Sequence, residues 1–383
     1  MKHAESMALR CVLALGAICP FARADAPMVM TTFTHMEGAF SYPTVLAFNN
    51  HLTKLRFGMT LFEEYGAKMT IESEKSFANA CATYGTNLLA EAVARGHGVG
   101  THCDFGMNEP SQPPASYALL FTANKTKIDA LVGPSNNRHC SGGMGESDWI
   151  LAAQIAGFAF RSEAVALGFL SMPMSVRPAG WTNEYIRSTV FHDECPLELA
   201  DRVHPIRMSN ALDWEFDDGA SYVLIGGGLG RIDGFAEEAA GEPIGQNPLF
   251  NGADVGLFFA ALDEAIAVRD PARFAKVLVH FPTASLDTAD EAIIRVILAR
   301  IRDEYVATGK LIWKTQGGAF DAFIAWESAD PADLNYDGSV NGQDLAMLLS
   351  GWGVCGSSCP TDINGDGITD AADMSIMLAS WTG

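Results

Sequence analysis

Residues 65–104, YGAKMTIESEKSFANACATYGTNLLAEAVARGHGVGTHCD, carry the pattern that decides the fold of most of this chain. A β-like run at 68–72 and another at 98–102 flank a leucine- and alanine-rich stretch at 87–95. Short β-like runs that alternate with amphipathic helical stretches are typical of α/β folds with a mainly parallel sheet. The segment therefore predicts strand, helix and strand in succession.

The same alternation extends outward on both sides, from about residue 27 to residue 327. Further strands are predicted at 28–33, 222–225, 276–280 and 311–313, and helices at 52–65, 117–132, 148–156, 255–268 and 289–308. In such folds, the functional residues collect in loops at the carboxyl ends of the strands.

Residues able to bind a metal follow three of the predicted strands. His35 and Glu37 come after the first strand, His102 and Asp104 end the third, and His280 closes a late one. Alternate residues of an extended chain share a face, so His-x-Glu and His-x-Asp can direct two ligands at one centre. These residues are therefore candidate metal ligands at this end of the sheet.

Two motifs of the opening segment resemble those of the polysaccharide deacetylase (NodB-homology) family, carbohydrate esterase family four. YGAKMT at 65–70 is similar to its strand motif YGxKAT, and GHGVGTH at 96–102 is similar to GHxxGxH, which leads to the metal site. The segments 148–158, 277–280 and 309–313 resemble later parts of the same family. The resemblance implies a distorted (β/α) barrel over residues 27–327.

The family also implies a divalent metal held by one Asp and two His, which activates water for attack on an acetyl group. In this chain we expect His102 and Asp104 as ligands. His35 or Glu37 would complete the set, and the other of that pair would be the general base. Zinc, or another divalent metal, accepts such mixed ligands.

Two further roles follow from the resemblance. His280 would be the general acid, and Arg138, in the region of the family's third motif, would orient the base. The chain also departs from the family. Its first motif has His35 and Glu37 where an acidic pair is expected, and Gly106 stands where the second motif has a histidine.

The C-terminal segment contains an internal repeat: DLNYDG at 333–338 returns as DINGDG at 362–367, 29 residues later. Alternate residues of a tight loop supply the oxygen ligands that a calcium ion needs, and a glycine permits the sharp turn. The predicted ligands are Asp333, Asn335, Asp337, the carbonyl of Ser339, Asn341 and Asp344 in the first loop, and Asp362, Asn364, Asp366, the carbonyl of Ile368, Asp370 and Asp373 in the second.

Both loops end in Asp rather than the Glu of an EF-hand, and each lacks the helix before it. In these features they resemble the repeats of a type I dockerin. Each loop precedes a short helical stretch with one apolar face, and we expect the two faces to pack together. The resemblance implies a small all-α domain at 330–383 with two Ca²⁺ ions, which docks onto a cohesin-like protein partner.

The N-terminus has the layout of a secretory signal peptide: Lys2 and Arg10, an apolar run at 11–21 and a small-residue cleavage site that ends at Ala24. We therefore expect residues 1–24 to be removed and the protein to be extracellular or on the cell surface. The six remaining cysteines permit three disulfides, with Cys355 and Cys359 as the expected pair. No later stretch is long and apolar enough to predict a membrane span.

The formal net charge of −21 argues against nucleic acid as a partner, because such binding requires clustered Lys and Arg. The leading hypothesis is thus a secreted, metal-dependent carbohydrate deacetylase with a polysaccharide or other glycan as substrate. Two alternatives stay open: a catalytically inactive glycan-binding protein on the same fold, and a glycoside hydrolase on a related barrel, which needs two carboxylates at a suitable separation.

Overall fold

The computed structural model describes residues 26–36, 42–191, 197–241, 250–354, 359 and 361–383. The chain divides into two compact units, of which one comprises residues 26–327 and the other contains residues 328–383. Each unit is described by itself below.

The large unit is built on one ten-stranded sheet, with strand order β6-β7-β5-β4-β3-β2-β1-β9-β8 and β10 beside β1. Only the β6–β7 pair is antiparallel. The strands are β1 (Met28–Met36), β2 (Thr70–Ser73), β3 (Gly98–Cys103), β4 (His139–Gly142), β5 (Phe160–Arg161), β6 (Ile206–Met208), β7 (Tyr222–Leu224), β8 (Gly228–Arg231), β9 (Ala275–His280) and β10 (Ile312–Trp313).

The sheet curls strongly, as the connection from β7 to β8 requires. Seven strand spacings separate these two strands along the sheet, which would be about 34 Å in a flat sheet. Residues 225–227 alone join them, and such a link reaches no further than about 14 Å. The predicted α/β fold with a mainly parallel sheet is therefore confirmed, in the form of a half-barrel.

Helices pack against this sheet. They are α1 (Val45–Glu64), α2 (Lys75–Tyr84), α3 (Leu88–Ala94), α4 (Pro114–Val132), α5 (Trp149–Ile155), α6 (Asn183–Tyr185), α7 (Leu199–Arg202), α8 (Phe235–Ala239), α9 (Gly252–Val268), α10 (Glu291–Arg300) and α11 (Gln316–Glu327). Short 3₁₀ helices lie at Ala166–Ser171 and Thr283–Ser285, and π-helical turns at Ile186–Val190 and Ile301–Val306. All the strands and helices predicted for this unit are present, whereas α2, α6, α7, α8, α11, β4, β5, β6 and β8 were not predicted.

Local sequence signals explain where the elements around the site begin and end. Asn87 caps α3 by accepting a hydrogen bond from the backbone N–H of Ala90. Gly96 then adopts a φ of +79° between α3 and β3, a conformation that glycine tolerates best. This tight return brings β3 alongside β2 in parallel register.

Three of the cysteines that were available for disulfides carry free, buried thiols: Cys81, Cys103 and Cys140. The arrangement of three disulfides that the even count allowed is therefore wrong. The predicted Cys355–Cys359 pair includes a residue outside the described part of the chain and stays a prediction.

The second unit contains α12 (Gly342–Ser350), α13 (Ala371–Ala379) and a short antiparallel pair, β11 (Gly353–Val354) with β12 (Ile368–Thr369). The expectation of an all-α domain is therefore wrong in this respect, because the unit also contains a short strand pair. Its small core includes Leu348 and Met377 from the two helices. Across the described residues, no helix combines the length and the apolar character that crossing a membrane requires.

Candidate metal centre

Three neighbouring strands bring a histidine pair and a carboxylate together inside the half-barrel. His35 lies near the end of β1 and pairs in register with Glu72 of β2, while His102 lies on β3. One ligand atom from each of His35, Glu72 and His102 lies within 4.8 Å of the other two. The imidazole rings of His35 and His102 stack with their centroids 4.0 Å apart.

Glu72 is the centre of this cluster, because its carboxylate bonds a histidine on each side. Its Oε2 lies 3.0 Å from His35 Nε2, and its Oε1 lies 3.1 Å from His139 Nε2. Burial alone would raise the pKa of this fully buried carboxyl, but the hydrogen bonds with His139 and His35 hold it well below its usual range. Glu72 is therefore an anion in the interior.

A serine hydroxyl joins the two clustered histidines. Ser141 pairs in register with His102, and its Oγ lies 2.9 Å from His102 Nδ1 and 3.4 Å from His35 Nε2. One ring nitrogen of each histidine therefore shares the Ser141 hydroxyl as a partner.

Further charged groups lie around the cluster. Glu163 Oε1 is 4.0 Å from His35 Nε2, and burial raises the pKa of the Glu163 carboxyl. The ammonium of Lys276 donates hydrogen bonds to the carbonyls of Ser162 and Gly226. Burial lowers the pKa of Lys276 to about 7, although Glu163 and Glu72 oppose this shift.

The predicted residue His280 lies beside the cluster. It ends β9, pairs in register with Phe33 of β1, and stacks on that ring at 4.7 Å. Its ring centroid is 4.9 Å from that of His35. The structure thus brings together three of the predicted residues: His35, His102 and His280.

The other predicted residues of the large unit do not join them. Asp104 is exposed, and its carboxylate is not part of the ligand group. Arg138 precedes β4, at the opposite end of the strands, where its guanidinium pairs with Asp321 at 2.7 Å. Glu37 lies outside the described residues.

Sequence reasoning missed Glu72, His139, Ser141 and Glu163. Glu72 is the last residue of the strand predicted at 68–72. The search for metal-binding residues at strand ends, applied there, would therefore have found it. His139 and Ser141 belong to β4, which was not predicted, and Glu163 follows the two-residue strand β5. Strands this short carry no periodic signal.

The donor set fits a divalent metal of the zinc class. Two imidazole nitrogens and one carboxylate oxygen are ligands that zinc accepts, and about 2.1 Å from a tetrahedral ion such atoms lie about 3.4 Å apart. The ligand atoms lie within 4.8 Å of one another, so the widest separation would shorten by up to about 1.4 Å on binding. Three protein ligands also leave the fourth position for a reactant, as in catalytic zinc sites.

In the second unit, the two predicted calcium loops have the same hydrogen-bond pattern. The first aspartate of each loop accepts from the N–H of the turn glycine: Asp333 from Gly338 at 2.8 Å and Asp362 from Gly367 at 2.7 Å. These glycines have φ values of +87° and +89°. The last aspartates, Asp344 and Asp373, bond backbone N–H groups at both ends of the loop.

No protein-family model and no curated protein matches the chain. Several solved structures are similar to it in fold. A Mycobacterium smegmatis protein assigned as a polysaccharide deacetylase has a TM-score of 0.49 and 13% identity, over 80% of this chain and 94% of that one. Puue allantoinase has a TM-score of 0.48 and 12% identity, over 84% of this chain and 98% of that one.

A mutant of the peptidoglycan deacetylase PdaC from Bacillus subtilis has a TM-score of 0.33 and 11% identity, over 80% of this chain and 96% of that one. All three scores lie below 0.5. The fold assignment therefore rests on the strand order and register of the chain itself, and the function on the residues inside the half-barrel.

Proposed function

We propose that the large unit is a metal-dependent hydrolase that removes acetyl groups from a polysaccharide, in a protein exported from the cell. The observation that carries this proposal is the His35–Glu72–His102 cluster, three metal-binding side chains within 4.8 Å at one end of a parallel sheet. The resemblance of residues 65–102 to the deacetylase family supports the choice of reaction.

A divalent ion held by His35, Glu72 and His102 would lower the pKa of bound water and polarise a carbonyl group. The chain's own residues do the rest. Glu72 supplies one negative charge that offsets the charge of the ion. Glu163 is close enough to the cluster to accept a proton, and its raised pKa suits that task. His280 lies on the other side of His35, where its ring can hold a proton for the leaving group.

Acetate release tests this proposal. The full chain, supplied with zinc, is incubated with acetylated polysaccharides and chito-oligosaccharides beside the variant His102→Ala. We expect release by the parent chain and none by the variant, because the variant lacks one ligand. A matched control is His97→Ala, which removes a buried histidine that bonds Glu63 outside the cluster. Equal release by the parent and by His102→Ala would refute the proposal.

We further propose that the second unit binds two Ca²⁺ ions and attaches the protein to a cohesin-like partner. Charge crowding in the first loop supports calcium binding: burial, together with the carboxylates of Asp344 and Asp337, raises the pKa of Asp333. A bound cation would relieve this crowding.

The surface of the second unit supports a docking role. Four apolar residues at equivalent positions of the two repeats are exposed: Leu349, Trp352, Leu378 and Trp381. The apolar faces of the two helices were expected to pack together; Leu348 and Met377 lie in the small core, whereas these four side chains stay exposed. Exposed tryptophans of this kind are enriched in protein interfaces.

One observation favours a second candidate, a glycoside hydrolase. Glu72 and Glu163 approach the same atom, His35 Nε2, at 3.0 and 4.0 Å. The facing oxygens of the two carboxylates are therefore no more than about 7 Å apart, a separation that does not exceed the range for such enzymes. Their pKa values are shifted in opposite directions, which is the usual arrangement of a base and an acid. Release of reducing sugar that resists chelators and is lost in Glu163→Gln would favour this candidate over the deacetylase.

A further inference from the structure

We infer that His139 is a positioning residue: it holds one oxygen of Glu72 so that the other faces His35 and the ion. This inference rests on the proposed metal site. His139 does not belong to the ligand group, and it lies on β4, two strands away from Glu72 in the sheet.

The geometry of Glu72 leads to this assignment. A carboxylate has two equivalent oxygens and turns freely unless each is held. Here His139 Nε2 bonds Oε1 at 3.1 Å, so Oε2 is the oxygen left to point at His35 Nε2. Outer partners that fix a ligand's orientation in this way raise the affinity of a site for its metal.

The ring of His139 is itself held in place. It stacks on Phe160 at 4.8 Å with an angle of 22° between the planes, and Phe160 stacks on Phe320 at 4.4 Å. The imidazole therefore cannot tilt away from Glu72 without breaking a stack of aromatic rings. Its side chain is 2% exposed, so water does not replace the bond.

A glycine on the strand between them makes room for this contact. Gly100 of β3 pairs in register with Glu72, and a Cβ at this position would lie 2.1 Å from His139 Nε2. No side chain other than hydrogen fits here while the imidazole stays on Glu72. The sequence thus provides the histidine and the space it needs at two separate positions.

Zinc affinity of the full chain, measured by competition with a zinc-selective chelator in calcium-saturated buffer, tests the inference. We expect His139→Leu to weaken binding by roughly 10- to 100-fold, the usual cost of losing such a partner. Gly100→Ala should weaken it similarly by displacing the ring. His139→Gln should restore most of the affinity, because its amide nitrogen reaches nearly the position of the imidazole Nε2.

His97→Leu is the matched control. His97 is also a buried histidine that bonds a carboxylate, Glu63, at 3.0 Å, but this pair lies outside the cluster. Zinc affinity should be unchanged in this variant. Parent-like affinity in His139→Leu would overturn the inference and leave the metal site standing, and so would a loss in His139→Leu that Gln does not repair. A parent chain that binds no zinc in its large unit would instead overturn the proposed function, and this inference with it.

Discussion

The two units of this chain hold their carboxylates in opposite ways. In the large unit, Glu72 is fully buried, and its partners His35 and His139 come from positions 37 and 67 residues away. In the second unit, Asp366 is exposed and bonds a backbone N–H two residues further on. The first carboxylate depends on the folded sheet for its neutralisation, whereas the second needs only its own loop and a cation.

The largest difference should appear when each carboxylate is removed. Glu72→Ala leaves two buried imidazoles without their anion, so we expect the metal-free large unit to lose about 3–5 kcal/mol of unfolding free energy. Asp366→Ala should cost the second unit about 0.5 kcal/mol or less without calcium. Denaturant unfolding of both variants measures these changes. Comparable losses of unfolding free energy in the two variants would show that the buried Glu72 contributes no more to stability than the exposed Asp366.

Buried charge also predicts how stability depends on pH. The folded chain releases the Lys276 proton near pH 7, whereas the unfolded chain keeps it until about pH 10. The unfolded state thus binds more protons between these values, so the stability of the large unit should rise with pH there.

Lys276→Met is the variant for this test, because it fills a similar volume without the charge. Denaturant midpoints at pH 7 and pH 9 should differ more in the parent than in this variant. The same change in midpoint between pH 7 and pH 9 in both chains would show that Lys276 does not cause the rise in stability. Residues 328–383 contain no Lys or Arg and should show no such rise.

Calcium binding should stabilise the second unit and not the large one. An ion that binds only the folded loops stabilises them by about 2.7 kcal/mol at a concentration 100-fold above its dissociation constant. We expect chelation to lower the melting temperature of the second unit and to leave that of the large unit unchanged. Asp344→Ala should remove the part of this effect that comes from the first loop, since its carboxylate spans that loop. A large unit that responds equally would contradict this expectation.

The smallest effect is expected at Asp104. This predicted ligand is exposed and does not belong to the ligand group. Surface substitutions typically change free energies by no more than about 0.5 kcal/mol. Asp104→Asn should therefore change zinc affinity by about twofold at most in the same competition titration. A loss of a hundredfold would restore Asp104 to the site.

The comparison also explains which residues could be predicted from the sequence. The calcium loops are local: each ligand set lies within twelve residues, and the repeat presents the pattern twice. The strands next to His35, His102 and His280 could also be predicted, because each is a clear β-like run that ends in polar residues.

The rest of the metal centre depends on contacts between strands. His139 and Glu163 belong to β4 and to the loop after β5, elements too short for a periodic signal. Only the arrangement of the strands in the folded sheet brings them to Glu72 and His35. Likewise, Arg138 has the residue type expected of a site, but it precedes its strand, and the fold places it at the other end.

The most direct test of the account is the zinc content of the purified full chain in calcium-saturated buffer, measured beside Glu72→Gln. The account predicts one zinc ion per parent chain and none in the variant, because the amide cannot replace the anionic ligand between His35 and His102. No zinc in the parent, or the same content in both chains, would contradict it.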